Sequence, residues 1–205
     1  MTSGERSLRR AFFARSGTEV APELLNKVLV CGRRAVRIVE VEAYEGELDP
    51  ASHAYRGPTA RNATMFGPPG RMYVYFTYGM HWCANVVCGE TGQATAVLLR
   101  AGAPLRGVGA MRIDRPGVRR DRDLCSGPAK LCQALGIDRE RDGANLLSGD
   151  RGVRLLDDGT APPVIPGQST RVGIRVAAER PWRWFVPGDP NVSRGPRPLP
   201  IGGAT

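Results

Sequence analysis

Lysine is nearly missing from this 205-residue chain: only Lys27 and Lys130 occur, so its cationic charge is almost all arginine. Histidine is as scarce, with His53 and His81 alone. The five cysteines, Cys31, Cys83, Cys88, Cys125 and Cys132, include no C-x-x-C pair. Two histidines and unpaired cysteines offer no zinc-ligand spacing, so no metal is expected. A zinc-dependent base deaminase is excluded on the same ground, because it needs H-x-E followed by P-C-x-x-C. The thiols read as buried or idle in a reducing compartment. No apolar run approaches membrane-spanning length. The start, MTSGERSLRRAFF, lacks the apolar segment of a secretory signal. The expectation is a soluble, cytoplasmic protein with no membrane partner.

What is present is arginine, glycine and proline. The net charge is +9 and the pI about 9.9. The planar guanidinium fork suits phosphate, which makes nucleic acid a reasonable partner. An arginine-rich codon bias would give the same composition without one. Hydrophobic content of 41% with 24% charged residues is globular, and the length fits one domain. The 26 glycines and 17 prolines predict many turns. Residues 1–17 read as a basic, partly ordered leading segment, 18–192 as the domain, and 193–205 as a Pro/Gly-rich tail.

Periodicity predicts a short helix over Ala21–Val28 and a hairpin of strands Val28–Cys31 and Ala35–Ala43 around Gly32. By strict alternation Glu42 shares the Ile38 face. Residues 45–70 read as a long loop, which at such length is usually functional or disordered. Strands are predicted at Met72–Thr77, His81–Cys88 and Thr95–Ala101. The stretch 104–122 reads as basic turns. A helix starts at Pro128 and stops at Gly136. Short strands follow at Val153–Leu156, Arg171–Val176 and Trp182–Val186. Several strands, few helices and no βαβ alternation indicate α+β, a single compact domain with a mostly antiparallel sheet.

The chemistry concentrates between Glu40 and Asn85. Glu42 ends a strand before a loop, where a carboxylate can activate water and steady a developing oxocarbenium ion. Taken alone, it reads more readily as an ordinary exposed glutamate. Tyr44 and His53 flank the loop and could close on a planar ligand, or be a core tyrosine and a hydrogen-bonded histidine. Tyr73 and Tyr75 share a strand face, an ordinary packing pattern. Tyr78 falls at a hairpin tip beside Gly79 and Met80, where a ring is harder to explain by packing than as a wedge in a base stack.

The blocks VEVEAY (39–44), SHAYRG (52–57), RNATMF (61–66) and GRMYVYFTYGMHWCANV (70–86) closely resemble the alkylpurine DNA glycosylases, also called methylpurine or 3-methyladenine DNA glycosylases of the alkyladenine type. AVLLRAGAPL (96–105), DLCSGPAKLCQALGI (123–137) and RVGI (171–174) continue the resemblance, which covers about residues 22–192 in order. It implies a base excision repair enzyme. Such an enzyme flips alkylated or deaminated purines out of duplex DNA and hydrolyses the N-glycosidic bond. The implied fold is one domain with a protruding β-hairpin that enters the minor groove, monomeric and without cofactor.

The resemblance also implies roles. Glu42 is the general base and Arg100 its partner near the water and the adjacent phosphate. Tyr44, His53 and Tyr75 sandwich the purine, and Asn85 screens its exocyclic group. Tyr78, with Met80 beside it, fills the gap in the duplex. A backbone carbonyl within Arg171–Ile174 helps hold the water. Two features depart from the pattern: His81 stands where relatives often carry a ring such as tyrosine, and the acids Glu45, Glu47 and Asp49 sit oddly near phosphates. Alternatives remain at this point. Lys130 is the candidate nucleophile for a lyase-active enzyme, and Gly107-Val108-Gly109 is a weak sign of the helix-hairpin-helix class. A non-catalytic damaged-nucleic-acid binding module would use the same rings and charge without Glu42.

Overall fold

The computed structural model describes residues 4–77 and 79–200. Its strands are β1 (Arg6–Ser7), β2 (Val28–Cys31), β3 (Arg34–Glu45), β4 (Met72–Thr77), β5 (His81–Cys88), β6 (Thr95–Arg106), β7 (Val153–Asp157), β8 (Gly167–Ser169) and β9 (Arg183–Phe185). Its helices are α1 (Arg10–Phe13), α2 (Gly17–Leu24), α3 (Val108–Asp114) and α4 (Pro128–Leu135). Among the described residues the sheet runs β1-β7-β2-β3-β6-β5-β4, with β9 pairing β3 and β8 pairing β9. Every one of these pairings is antiparallel. A single antiparallel sheet with few helices is the expected α+β arrangement.

The aliphatic runs of β3 and β6 place these two strands side by side at the sheet's centre. β2 pairs β3 only as far as Arg37, and β9 takes over the same edge at residues 40–42. Helices α2 and α4 lay their apolar faces on the sheet, so Leu24, Ile38, Leu99 and Leu131 belong to one buried cluster. A smaller cluster of Ala54, Met65, Tyr73 and Val87 lies beneath the long loop. Within the leading segment, Arg6–Ser7 pair with β7 and Phe13 is fully buried.

Several local expectations need correction. The first main helix is Gly17–Leu24, not Ala21–Val28, and Pro22 lies inside it. Ser16 and Glu19 form a reciprocal capping box that starts it a turn sooner. β6 continues past Ala101 to Arg106 because Pro104 falls at a register shift opposite Val36 and needs no ladder bond there. The stretch read as basic turns contains α3, which begins at Gly107 (φ 74°) and is anchored by buried Met111. Gly107-Val108-Gly109 therefore opens this helix and is not the turn of a helix-hairpin-helix. Residues Arg171–Val176 form no strand; Gly173 (φ 75°) breaks the extended run. Among the described residues no helix is long and apolar enough to cross a membrane.

The turn leaving β3 leads into the long loop and depends on Gly46. Its φ is 53°, and a Cβ there would stand 2.3 Å from the Gln93 carbonyl oxygen. Gly46→Ala should cost at least about 1–3 kcal/mol from backbone strain alone. Urea unfolding should show a lower midpoint, and an unchanged midpoint contradicts this reading of the turn.

Candidate active site

Strands β3 and β6 pair unevenly beyond Ile38. Ile38 faces Gly102, Glu40 faces Ala101 and Val41 faces Leu99. Val39 and Arg100 are thus each an extra residue in its own strand. Bulges of this kind re-aim side chains and are frequent beside active sites. Arg100 Nε donates to Glu40 Oε1 at 2.7 Å, and its Nη1 lies 3.2 Å from Glu42 Oε1. Both carboxylates are wholly buried. Strict alternation fails here, since every residue from Val39 to Ala43 is buried. Glu42 accordingly meets a polar cluster and not the apolar Ile38 face.

Each carboxylate has its own set of donors. Glu42 accepts from the Val172 amide at 2.7 Å and from the Tyr44 hydroxyl at 2.9 Å, and it forms an ion pair with Arg100 Nη1 at 3.2 Å. Glu40 accepts from Arg100, Arg183 Nε (2.8 Å), and the Ser193 amide (2.6 Å) and hydroxyl (2.9 Å). Burial pushes the Glu42 carboxyl above the usual carboxylate range, and Arg100, the Val172 amide and Tyr44 offset this only in part. Burial would also raise Glu40, but Arg100 and Arg183 outweigh it and hold that carboxyl below its usual range. Carboxylates pushed apart in this way are a recurring mark of divided roles.

In front of this pair lies a cavity of about 360 Å³, a size suited to a small planar ligand. Tyr44, His53, Tyr75, Asn85 and Arg100 all line it. Glu42 sits directly behind its wall, touching Tyr44, Arg100 and Val172. Tyr73 and Tyr75 stack at 5.6 Å with 26° between their planes. His53 meets Tyr75 edge-on at 4.4 Å, and its Nδ1 is 3.3 Å from the Tyr73 hydroxyl. Asn62 fixes the histidine's backbone by donating to its carbonyl at 2.9 Å. Burial first, then Arg61, lowers the His53 pKa, so the ring stays neutral. Burial pushes the Tyr73 phenol up to about 12. Asn85 is buried opposite Tyr73, and its Nδ2 donates to the Tyr73 carbonyl at 3.2 Å.

Other expected residues are less central. Met80 is 68% exposed on the β4–β5 turn, away from the cavity, while His81 stands in its lining. Tyr78 lies outside the described residues. Lys130 does not face the ring-lined cavity; with Arg120, Arg122 and Arg194 it lines a more cationic hollow that shares Arg100 with it. Two of the loop's three acids are engaged within the protein. Glu45 accepts from the Thr18 amide at 2.7 Å, and buried Asp49 binds Arg171 through both oxygens. Arg171 also donates to the Ala43 carbonyl at 3.0 Å and covers the Tyr44 ring at 4.6 Å from its centroid. It thereby anchors the loop that carries Val172 to Glu42. That loop also gives Glu42 an amide donor from Val172. Sequence reasoning missed the Glu40, Arg183 and Ser193 cluster and the Asp49–Arg171 pair, each joining residues more than 120 positions apart.

A family model described as methylpurine-DNA glycosylase matches residues 11–190. A protein of Burkholderia lata, provisionally named a 3-methyladenine DNA glycosylase, is 59% identical over 91% of this chain and 90% of its own. Proteins of the same provisional name from Streptomyces avermitilis and Rhodopseudomonas palustris strain BisB18 are each 49% identical, again over 91% of this chain and 90% of theirs. The chain belongs to the methylpurine-DNA glycosylase family.

The two carboxylates should behave oppositely in stability. Glu42, with its folded pKa raised, favours folding fully only below about pH 4.3, the unperturbed glutamate value, and loses that contribution as pH rises. Glu40, with its folded pKa lowered, contributes above that value and loses its contribution as pH falls. At pH 7 Glu42→Gln should therefore leave the Tm unchanged or raise it. Glu40→Gln should cost about 3–5 kcal/mol, since it leaves two buried guanidiniums short of an anion. Thermal melts of both variants decide the matter; equal losses would contradict it.

Proposed function

We propose that this member of the methylpurine-DNA glycosylase family is a monofunctional DNA-3-methyladenine glycosylase. It takes alkylated or deaminated purines from duplex DNA, in the class of 3-methyladenine, 7-methylguanine, hypoxanthine and ethenoadenine. It works as a monomer on DNA within the cell, in bacteria at the nucleoid. The observation that carries the reading is a buried glutamate with two hydrogen-bond donors and an arginine beside it, set behind a cavity walled by aromatic rings.

A purine in duplex DNA must leave the stack before its glycosidic bond can be reached. In this reading the hairpin supplies Tyr78 and Met80 to fill the vacated space. Tyr44 on one side and His53 with Tyr75 on the other hold the base. Stacking on such rings returns roughly 1–3 kcal/mol per base and partly offsets unstacking. A neutral His53 matters, because a cationic ring would repel an alkylated, positively charged purine. Asn85 faces the base and selects by its exocyclic group.

Glu42 takes a proton from water as the water oxygen bonds to C1′. The C1′–N bond breaks, its electron pair leaves with the purine, and an abasic site remains. Water needs a place at Glu42, and Arg100 Nη1 at 3.2 Å is its longest contact, so this contact gives way. The raised carboxyl makes Glu42 a stronger base than an exposed glutamate.

Glu42→Gln should slow single-turnover release of hypoxanthine from a duplex by roughly 10²–10⁴-fold, the usual general-base range. Duplex affinity should survive. Release at the parent rate would remove Glu42 from its role. Absence of free base even with the parent protein would favour a binding module that recognises damage without cutting.

A further inference from the structure

Arg100 is shared. Its Nε serves Glu40 at 2.7 Å while its Nη1 serves Glu42 at 3.2 Å. The grip on Glu40 is the shorter, and Glu40 is itself pinned by groups from two other parts of the chain. Arg183 comes from β9, and Ser193 gives both its amide and its hydroxyl from the segment beyond it. Ser193 Oγ also accepts from Arg100 Nη2 at 3.4 Å. Glu40 touches none of the cavity. A buried anion with four donors, no exposed surface and no contact with the ligand space is costly to keep for packing alone.

We infer that Glu40 is a positioning residue for excision: by holding Arg100 at Nε it competes with Glu42 for the guanidinium, and so leaves Glu42 room for water. The inference rests on the proposed role of Glu42. Two hydrogen-bond donors and one guanidinium surround Glu42, and the two donors are fixed. The Val172 amide is held by the loop that Arg171 anchors, and the Tyr44 hydroxyl by the ring beneath Arg171. Only Arg100 can yield, and it can yield only toward a partner that keeps its charge satisfied. Glu40 is that partner. Without the Glu40 charge the guanidinium would settle fully on Glu42. It would then occupy the water's place and weaken the base.

The groups facing Glu42 set the direction of the pH response. Arg100 comes from β6, and Tyr44 and Glu40 from its own strand. The Val172 amide comes from the anchored loop, and the Cys83 thiol of β5 lies within electrostatic reach. Arg171 stands behind Tyr44. Glu40 is the acid that acts on Glu42 from its own strand, and it raises the Glu42 carboxyl. Removing its charge lets Glu42 ionise at lower pH.

The test is the pH profile of single-turnover hypoxanthine release, with enzyme in excess, for the parent protein and for Glu40→Gln. The expected result is an acid limb moved down by about half a unit or more and a plateau at least about tenfold lower. A role in folding alone would reduce the active fraction and leave the limb in place, and a limb in place overturns the inference. Should Glu40→Gln not fold, Ser193→Ala takes over. It keeps both charges and removes one donor from Glu40, which then draws harder on Arg100. Its limb should move up, and a limb matching the parent's overturns the inference. Because the parent protein and Glu42→Gln are assayed alongside, a silent parent or an active Glu42→Gln sinks the proposed function instead.

Discussion

One guanidinium between two buried carboxylates is the constraint on which the rest of this molecule turns. Arg100 reaches that position because β3 and β6 each carry an extra residue at this point. Two ionised acids on one strand, both without solvent, would repel and protonate if left alone. Arg100 and Arg183 together balance Glu40 and Glu42, and they do so unequally. Glu40 receives the stronger share and is held as a fixed anion. Glu42 is left under-compensated, a condition that costs the fold stability and, under the proposed function, gives the site a usable base.

The surrounding structure serves that inequality. Arg171, paired with Asp49, ties three things together: the Ala43 backbone, the Tyr44 ring and the loop bearing Val172. Both hydrogen-bond donors to Glu42 thus hang on one buried ion pair. The aromatic wall is built separately, from β4 and the long loop, with Asn62 holding the His53 backbone and Tyr73 stacking behind Tyr75. Ring wall and acid meet at Tyr44, which lines the cavity and whose hydroxyl reaches Glu42. Under the proposed function, that junction couples holding a base to preparing the chemistry.

Much of this was legible in the sequence. Alternation located β2, β4 and β5 with their ends, and Pro128 with Gly136 bounded α4. Tyr44, His53, Tyr75, Asn85 and Arg100 line the cavity; residue patterns alone gave the three rings an ordinary packing reading, and Asn85 and Arg100 were singled out only by the family resemblance. What escaped has a physical cause in each case. A bulge changes which face a side chain takes and leaves no mark in a pattern of apolar residues, so Glu42 was assigned by parity to a face it does not share. Long-range ion pairs such as Glu40 with Arg183, or Asp49 with Arg171, depend on strand order, which local periodicity does not encode. Glu45 and Asp49 looked misplaced because their partners, Thr18 and Arg171, lie far away in the chain. The α2 boundary was misread from Pro22, although Ser16 and Glu19 carried the correct signal.

The central claim is spatial: a ring-lined cavity holds an extruded purine while Glu42 addresses water at the sugar. A crystal structure of the Glu42→Gln protein bound to a hypoxanthine-containing duplex tests it most directly. The account predicts the base inside the cavity between Tyr44 and His53, with a water about 2.6–3.2 Å from the position-42 side chain and facing C1′. A base still stacked in the duplex, or a sugar remote from position 42, would contradict it.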